Sequence, residues 1–79
     1  MVEINDIVDL LVEIIEDSTT PKNVKERMNK IVDILKNGDE TSIKINKALN
    51  ELDGIASDSN LQQFTRTQIW NVVSLLEKF

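Results

Sequence analysis

The 79-residue sequence predicts an all-α fold: a four-helix up-and-down bundle made of two helical hairpins. Three observations carry this expectation. Apolar residues recur at i, i+3, i+4 and i+7 in four successive segments, the spacing of amphipathic helices. Short clusters of Ser, Thr, Pro, Gly, Asp and Asn punctuate the segments. And the pattern repeats once within the chain, at a shift of 41 positions.

The first segment places Ile4, Ile7, Val8, Leu11, Ile14 and Ile15 on one face, with Asp6, Asp9, Glu13 and Glu16 opposite. Leu10 and Val12 widen the apolar arc, so this helix is expected to touch two neighbours and to end near Asp17. Ser18-Thr19-Thr20-Pro21 is a stop and restart. Thr20 is suited to cap the second helix and Pro21 to open it, since proline lacks the N–H that the first helical position leaves unpaired. The second helix, running to about Asn37, buries Val24, Met28, Ile31, Val32 and Leu35. Gly38 is placed to end it in a left-handed conformation, and Asp39 to cap the third.

That third helix, from about Glu40 to Ser57, turns Ile45, Ala48, Leu49, Leu52, Ile55 and Ala56 to one side and Gly54 to the other. Asp58-Ser59-Asn60 reads as the next cap, with Gln62 or Gln63 placed for a capping box. The fourth helix is expected to bury Leu61, Ile69, Val72, Leu76 and Phe79, with Phe64 and Leu75 beside them.

The 41-residue shift brings Leu11 onto Leu52, Ile14 onto Ile55, Asp17 onto Asp58, Lys25 onto Arg66, Met28 onto Ile69 and Leu35 onto Leu76. Two helix pairs at that period also suit a HEAT-like arrangement. A solenoid, however, needs about three repeats to bury a continuous core, so a closed bundle with pseudo-twofold symmetry is the leading architecture and the HEAT-like pair the alternative.

Composition narrows function. The chain is one domain over residues 1–79 by its length, with 41% apolar and 29% charged residues. At this size a single core is marginal, and with no cysteine or histidine neither a disulfide nor a zinc or haem staple is available. Regular helix packing or self-association must supply the remainder. The same absences remove the usual general base and thiolate nucleophile, and the two glycines are isolated rather than set in a phosphate-binding loop. No catalytic residue, cofactor or metal ligand is assigned. Glu13, Glu16 and Asp17 form the densest carboxylate group, but they lie opposite the apolar stripe and read as a solvated face. No apolar run reaches the roughly 20 residues that cross a bilayer, and the N-terminus lacks the basic start of a signal peptide. A cytoplasmic location and no membrane partner are therefore expected.

Net charge is −5, unevenly spread. The first helix carries only acids, whereas the second holds Lys22, Lys25, Arg27 and Lys30. Overall acidity argues against a nucleic-acid partner, because phosphate contacts supply most non-specific affinity. The basic patch Lys22, Lys25 and Lys30 nevertheless makes an RNA- or ribosome-associated accessory protein the alternative reading. The leading one is a non-enzymatic interaction module or small subunit of an assembly, with an unidentified protein or a second copy as partner. It rests on Trp70, which falls across the wheel from Ile69, Val72 and Leu76, with Arg66 one turn before it and Val73 adjacent. Trp and Arg are favoured interface anchors, so Arg66, Trp70 and Val73 are the candidate partner-binding residues.

The connections also carry a resemblance. Asp17-Ser18-Thr19-Thr20-Pro21-Lys22-Asn23-Val24-Lys25, Leu52-Asp53 and Thr65-Arg66-Thr67-Gln68-Ile69-Trp70-Asn71 resemble uncharacterised protein family 0147, a group of small archaeal proteins, over nearly the whole chain. The most specific motifs are P-x-N-V-K/R and T-R-T-x-I-W. Members often carry proline at the positions of Ser59 and Gln62, so the departure here implies a looser start to the fourth helix. The resemblance implies a compact four-helix bundle in the archaeal cytoplasm and no activity, since the family's function is itself unknown.

Overall fold

A computed structural model describes residues 2–79. Four helices follow one another: α1 (Ile4–Glu16), α2 (Lys22–Lys36), α3 (Thr41–Ala56) and α4 (Gln63–Leu76). The backbones of α1 and α2, α2 and α3, α3 and α4, and α4 and α1 lie side by side, while neither diagonal pair comes as close. Short loops between neighbours make each contact antiparallel, so the helices close an up-and-down bundle measuring 32 × 19 × 19 Å. A HEAT-like stack would instead have set α1 against α3 and α2 against α4, and that alternative falls.

The core is the apolar stripe of every helix brought to one axis. Ile7, Leu11 and Ile14 meet Met28, Ile31 and Leu35, and across them Leu52, Ile55, Ile69 and Leu76, all essentially without solvent exposure. Half-buried Ile4, Leu10, Val12, Ile15, Leu49, Val73 and Leu75 seal the seams between helices.

The 41-residue repeat is written into the backbone. Asp17 N–H donates to the Ile14 carbonyl (3.2 Å), and Asp58 N–H to that of Ile55 (3.0 Å). Thr20 N–H reaches the Asp17 carbonyl at 3.1 Å, as Leu61 N–H reaches that of Asp58 at 3.2 Å. Asp17 accepts from Thr19 N–H (2.8 Å) and Asp58 from Asn60 N–H (2.9 Å). Both carboxylates thus close Asx turns that lead the chain from one helix to the next.

The connections depart from the sequence reading in what caps them. Thr20 does not cap α2; its buried hydroxyl donates back to the Ile14 carbonyl at 2.8 Å and closes the end of α1. Pro21 stands at the N-cap itself, without a side-chain hydrogen bond. Neither glycine has a positive φ, so Gly38 provides no left-handed stop. Instead α2 ends at an extended Asn37, and Lys44 of α3 donates to the carbonyls of Leu35 (3.2 Å) and Asn37 (2.9 Å). A cation at a helix C-terminus also meets the negative end of the dipole. Asp39 pairs with Lys47 at 3.7 Å rather than capping α3, whose N-cap is Glu40.

Helix α4 begins two residues later than Leu61, because Asp58-Ser59-Asn60 form a turn and Gln62 becomes the N-cap with no side-chain bond. Two aromatics expected inside lie outside. Phe64 is 63% exposed at the first turn of α4, and Phe79 is 50% exposed beyond its end. Leu76 already fills the last core layer, leaving Phe79 to border an open depression of about 600 Å³ with Val2, Ile4, Leu35 and Lys44.

Candidate functional site

Three faces of α4 place the candidate residues. Thr65, Ile69, Val72 and Leu76 point inward. Gln68 and Asn71 border α1, lining a small groove with Leu10 and Glu13. Arg66, Trp70, Val73 and Glu77 fall on the side of α3.

Arg66 is a structural residue. Its Nε donates to the Ala56 carbonyl at 3.3 Å and its Nη2 to that of Asp58 at 3.0 Å, closing the end of α3. The guanidinium is thereby drawn up to the loop, so the expected pairing with Trp70 as two exposed neighbours is replaced by a division of labour. Arg66 fixes α4 against α3, and Trp70 stands one turn below.

Trp70 is 47% exposed although it lies mid-helix. With Val73 and Glu77 it forms one wall of a groove of about 260 Å³ whose other wall is Leu49, Asn50 and Asp53 of α3. The structure therefore brings Trp70 and Val73 together and adds four residues that the sequence reading had not selected. Leu49 had been assigned to the core; it is half-buried at the groove floor. Glu77 already falls beside Trp70 on the helical wheel, seven positions on, whereas Asn50 and Asp53 carry no signal of their own and are selected only by the antiparallel pairing of α3 with α4. Among the described residues neither Asp53 nor Glu77 has an ion-pair partner.

The basic patch is not brought together. With 3.6 residues per turn, Lys25 and Lys30 point about 140° apart. Lys25 is half-buried and acts on Asp17, while exposed Lys22 and Lys30 share the outer face of α2 with Glu26 and Asp33. Arg27 crosses to α3, where its Nη2 lies over Gly54 and 3.8 Å from Glu51. Arg66 does not extend the patch, because α2 and α4 are diagonal.

The carboxylates of α1 are similarly dispersed. Glu13 and Glu16 are exposed, and among the described residues no group of three or more potential ligands could hold a metal ion. Asp17 is held below its ordinary pKa of 3.8, chiefly by the Thr19 hydroxyl, then by the Thr19 N–H and by Lys25. No helix of the described residues is long and apolar enough to cross a membrane.

The arrangement defines an all-α up-and-down bundle of two like hairpins with one apolar, acid-bordered groove between α3 and α4. The chain belongs to the Uncharacterised protein family (UPF0147), whose model matches residues 2–79. It is 41% identical over 70 residues to the UPF0147 protein of Methanocaldococcus jannaschii, covering 87% of this chain and 75% of that one. To the family's protein from Archaeoglobus fulgidus it is 36% identical over 75 residues, covering 95% and 86%. A crystal structure of a protein of unknown function, MMP1188, shares the fold with a TM-score of 0.92 at 36% identity, over 96% of this chain and 88% of that one. The family's function is unknown.

Proposed function

We propose that this protein is a cytoplasmic binding module rather than an enzyme, and that it engages another protein through the α3–α4 face centred on Trp70. The carrying observation is the half-exposed indole beside Leu49 and Val73, in a groove between two helices that are otherwise well packed. An exposed tryptophan over a partly desolvated apolar floor is the usual anatomy of an interface anchor. The repeat sharpens the point: at the shift of 41, Trp70 corresponds to Asn29, an ordinary exposed polar residue. The fold therefore does not need an indole at this register.

The experiment places a photo-crosslinking amino acid at position 50 in cells, identifies the captured protein, and reconstitutes the pair from purified components. Trp70→Ala is expected to keep its helix content and melt cooperatively while losing the reconstituted complex. Undiminished binding by Trp70→Ala would reject this face as the docking site. Loss of the fold in Trp70→Ala would make the indole a structural residue and reject the reading equally.

A further inference from the structure

The chemistry of the groove narrows the partner. The Arg66 side chain reaches the Ala56 and Asp58 carbonyls at the end of α3, and one turn further along α4 Trp70 borders a groove with Asn50 and Asp53 of the antiparallel neighbour. Val73 then lies near Leu49, and Glu77 closes the lower end. Two carboxylates therefore border an apolar floor, Asp53 from α3 and Glu77 from α4. Neither has an ion-pair partner among the described residues, and the guanidinium of Arg66, on the same side of α4, is committed to loop carbonyls.

We propose that this groove takes a basic amphipathic helix of another protein, its apolar edge on Trp70, Leu49 and Val73 and its lysines or arginines on Asp53 and Glu77. The inference rests on the docking reading above and adds the partner's chemistry. A helix laid in a groove presents apolar anchors at i, i+3, i+4 and i+7, and basic residues on either side of that stripe would face the carboxylate on each wall, Asp53 of α3 and Glu77 of α4. Other occupants fit worse. A second copy related by a twofold axis along the helices would set Asp53 against Asp53, and an axis across them would set Asp53 against Glu77; both bring like charges together. The basic α2 of a second copy offers no anchor, since the large apolar residues exposed among the described residues are Ile43, Phe64, Trp70 and Phe79, none of them on α2. Nucleic-acid bases would stack on Trp70 only by bringing phosphates beside two carboxylates.

The test uses synthetic amphipathic peptides of about 18 residues, long enough to be helical, with a leucine face and lysine, glutamine or glutamate flanks. Trp70 is the sole tryptophan, so its emission reports directly on the groove. The lysine peptide is expected to shift that emission to the blue and to bind about tenfold more weakly to the Asp53→Asn/Glu77→Gln protein, with circular dichroism confirming that this variant is folded. The glutamate peptide is expected not to bind. Equal binding of the lysine and glutamine peptides, with a blue shift in both, would overturn the basic partner and leave the docking reading standing. No shift with any peptide would count against both. Lysine-peptide binding that depends on Glu13 and Glu16 instead would reduce the effect to general attraction by an acidic chain and overturn the proposal.

Discussion

The two hairpins share a backbone and differ in what their side chains do with it. In both connections an aspartate closes an Asx turn on the residue two positions later, and the next helix opens on a matching hydrogen bond, Lys25 N–H to Pro21 and Arg66 N–H to Gln62, each 3.0 Å. The outer seams diverge. Between α1 and α2 the residues corresponding to Leu49, Trp70 and Val73 are Val8, Asn29 and Val32; the valines are buried and the polar side chain faces water. Between α3 and α4, Leu49 and Val73 are only half-buried and an indole stands over them. Asp53 and Glu77, which border that groove, correspond to Val12 and Lys36. The first hairpin has a closed seam, the second an open and acid-bordered one. Because the scaffold is common to both, the opening is attributable to side chains rather than to topology.

The strongest test of this comparison asks whether the hairpins are one cooperative unit. Leu11→Ala and Leu52→Ala, at equivalent and fully buried positions, should each lower stability by about 2–5 kcal/mol. In both variants circular dichroism and Trp70 fluorescence should give the same urea midpoint. If Leu11→Ala melts helix while the emission of Trp70 stays native, the hairpins are separate units and the comparison is between two domains in miniature.

The caps come next. Arg66→Ala removes the side-chain donor to the Ala56 carbonyl and leaves the Asp58 carbonyl with the Leu61 N–H alone, and should cost about 1–2 kcal/mol. Thr20→Val, which keeps the shape but removes the hydroxyl bonded to Ile14, should cost about as much. Lys25, the counterpart of Arg66, makes no such bond, and Lys25→Ala should change stability by less than about 0.5 kcal/mol. Chemical denaturation of the three variants measures the ordering. A Lys25→Ala effect equal to that of Arg66→Ala would mean that the two hairpins are capped alike.

These caps also mark where the sequence stops being legible. Helix number, the internal repeat and the core positions of α1 to α3 other than Leu49 follow from periodicity, because burying an apolar stripe decides them. The role of Thr20 does not, since a threonine before a proline has the chemistry to cap either the helix ahead or the one behind. Lys44 and Arg66 read as surface cations until the neighbouring helix end is seen within reach of them. Phe64 and Phe79 were misplaced because hydrophobicity reports a tendency to be buried, not whether room remains beside Leu61 or Leu76. Of the candidate surface, Trp70, Val73 and Glu77 share one side of the helical wheel and are readable from it; Asn50 and Asp53 require the pairing of α3 with α4.

A smaller effect sharpens the comparison at the helix starts. Pro21 and Gln62 are equivalent N-caps with nearly the same backbone, φ −58° and ψ 148° against φ −67° and ψ 150°. Gln62 thus already holds the φ that a proline ring would fix, and its N–H makes no hydrogen bond among the described residues. Gln62→Pro should therefore stabilise the protein by about 0.4–1 kcal/mol through the unfolded chain, and Pro21→Gln should remove a similar amount. Thermal melts of the pair decide it. A destabilised Gln62→Pro would show that Leu61, which must then adopt an extended conformation, is not the equal of Thr20.

The smallest effect separates the two Asx turns. Asp17 accepts from both the hydroxyl (2.7 Å) and the N–H (2.8 Å) of Thr19, whereas Asp58 accepts from the N–H of Asn60. Bonds to the ionised carboxylate favour it, and Asp17 is accordingly held below 3.8, with the Thr19 hydroxyl the largest cause. A carboxylate depressed in the folded state stabilises that state above its unfolded pKa, and the contribution is lost as pH falls through the lower folded value. The effect of Asp17 is thus fully present at neutral pH and fades only below about 3.8. An NMR titration of the side-chain carboxyl should show Asp17 ionising below that value in the native protein and rising towards it in Thr19→Val, which loses the hydroxyl but keeps the N–H. If Thr19→Val leaves the titration unmoved, the N–H and Lys25 hold the charge, and the first turn is no more tightly closed than the second.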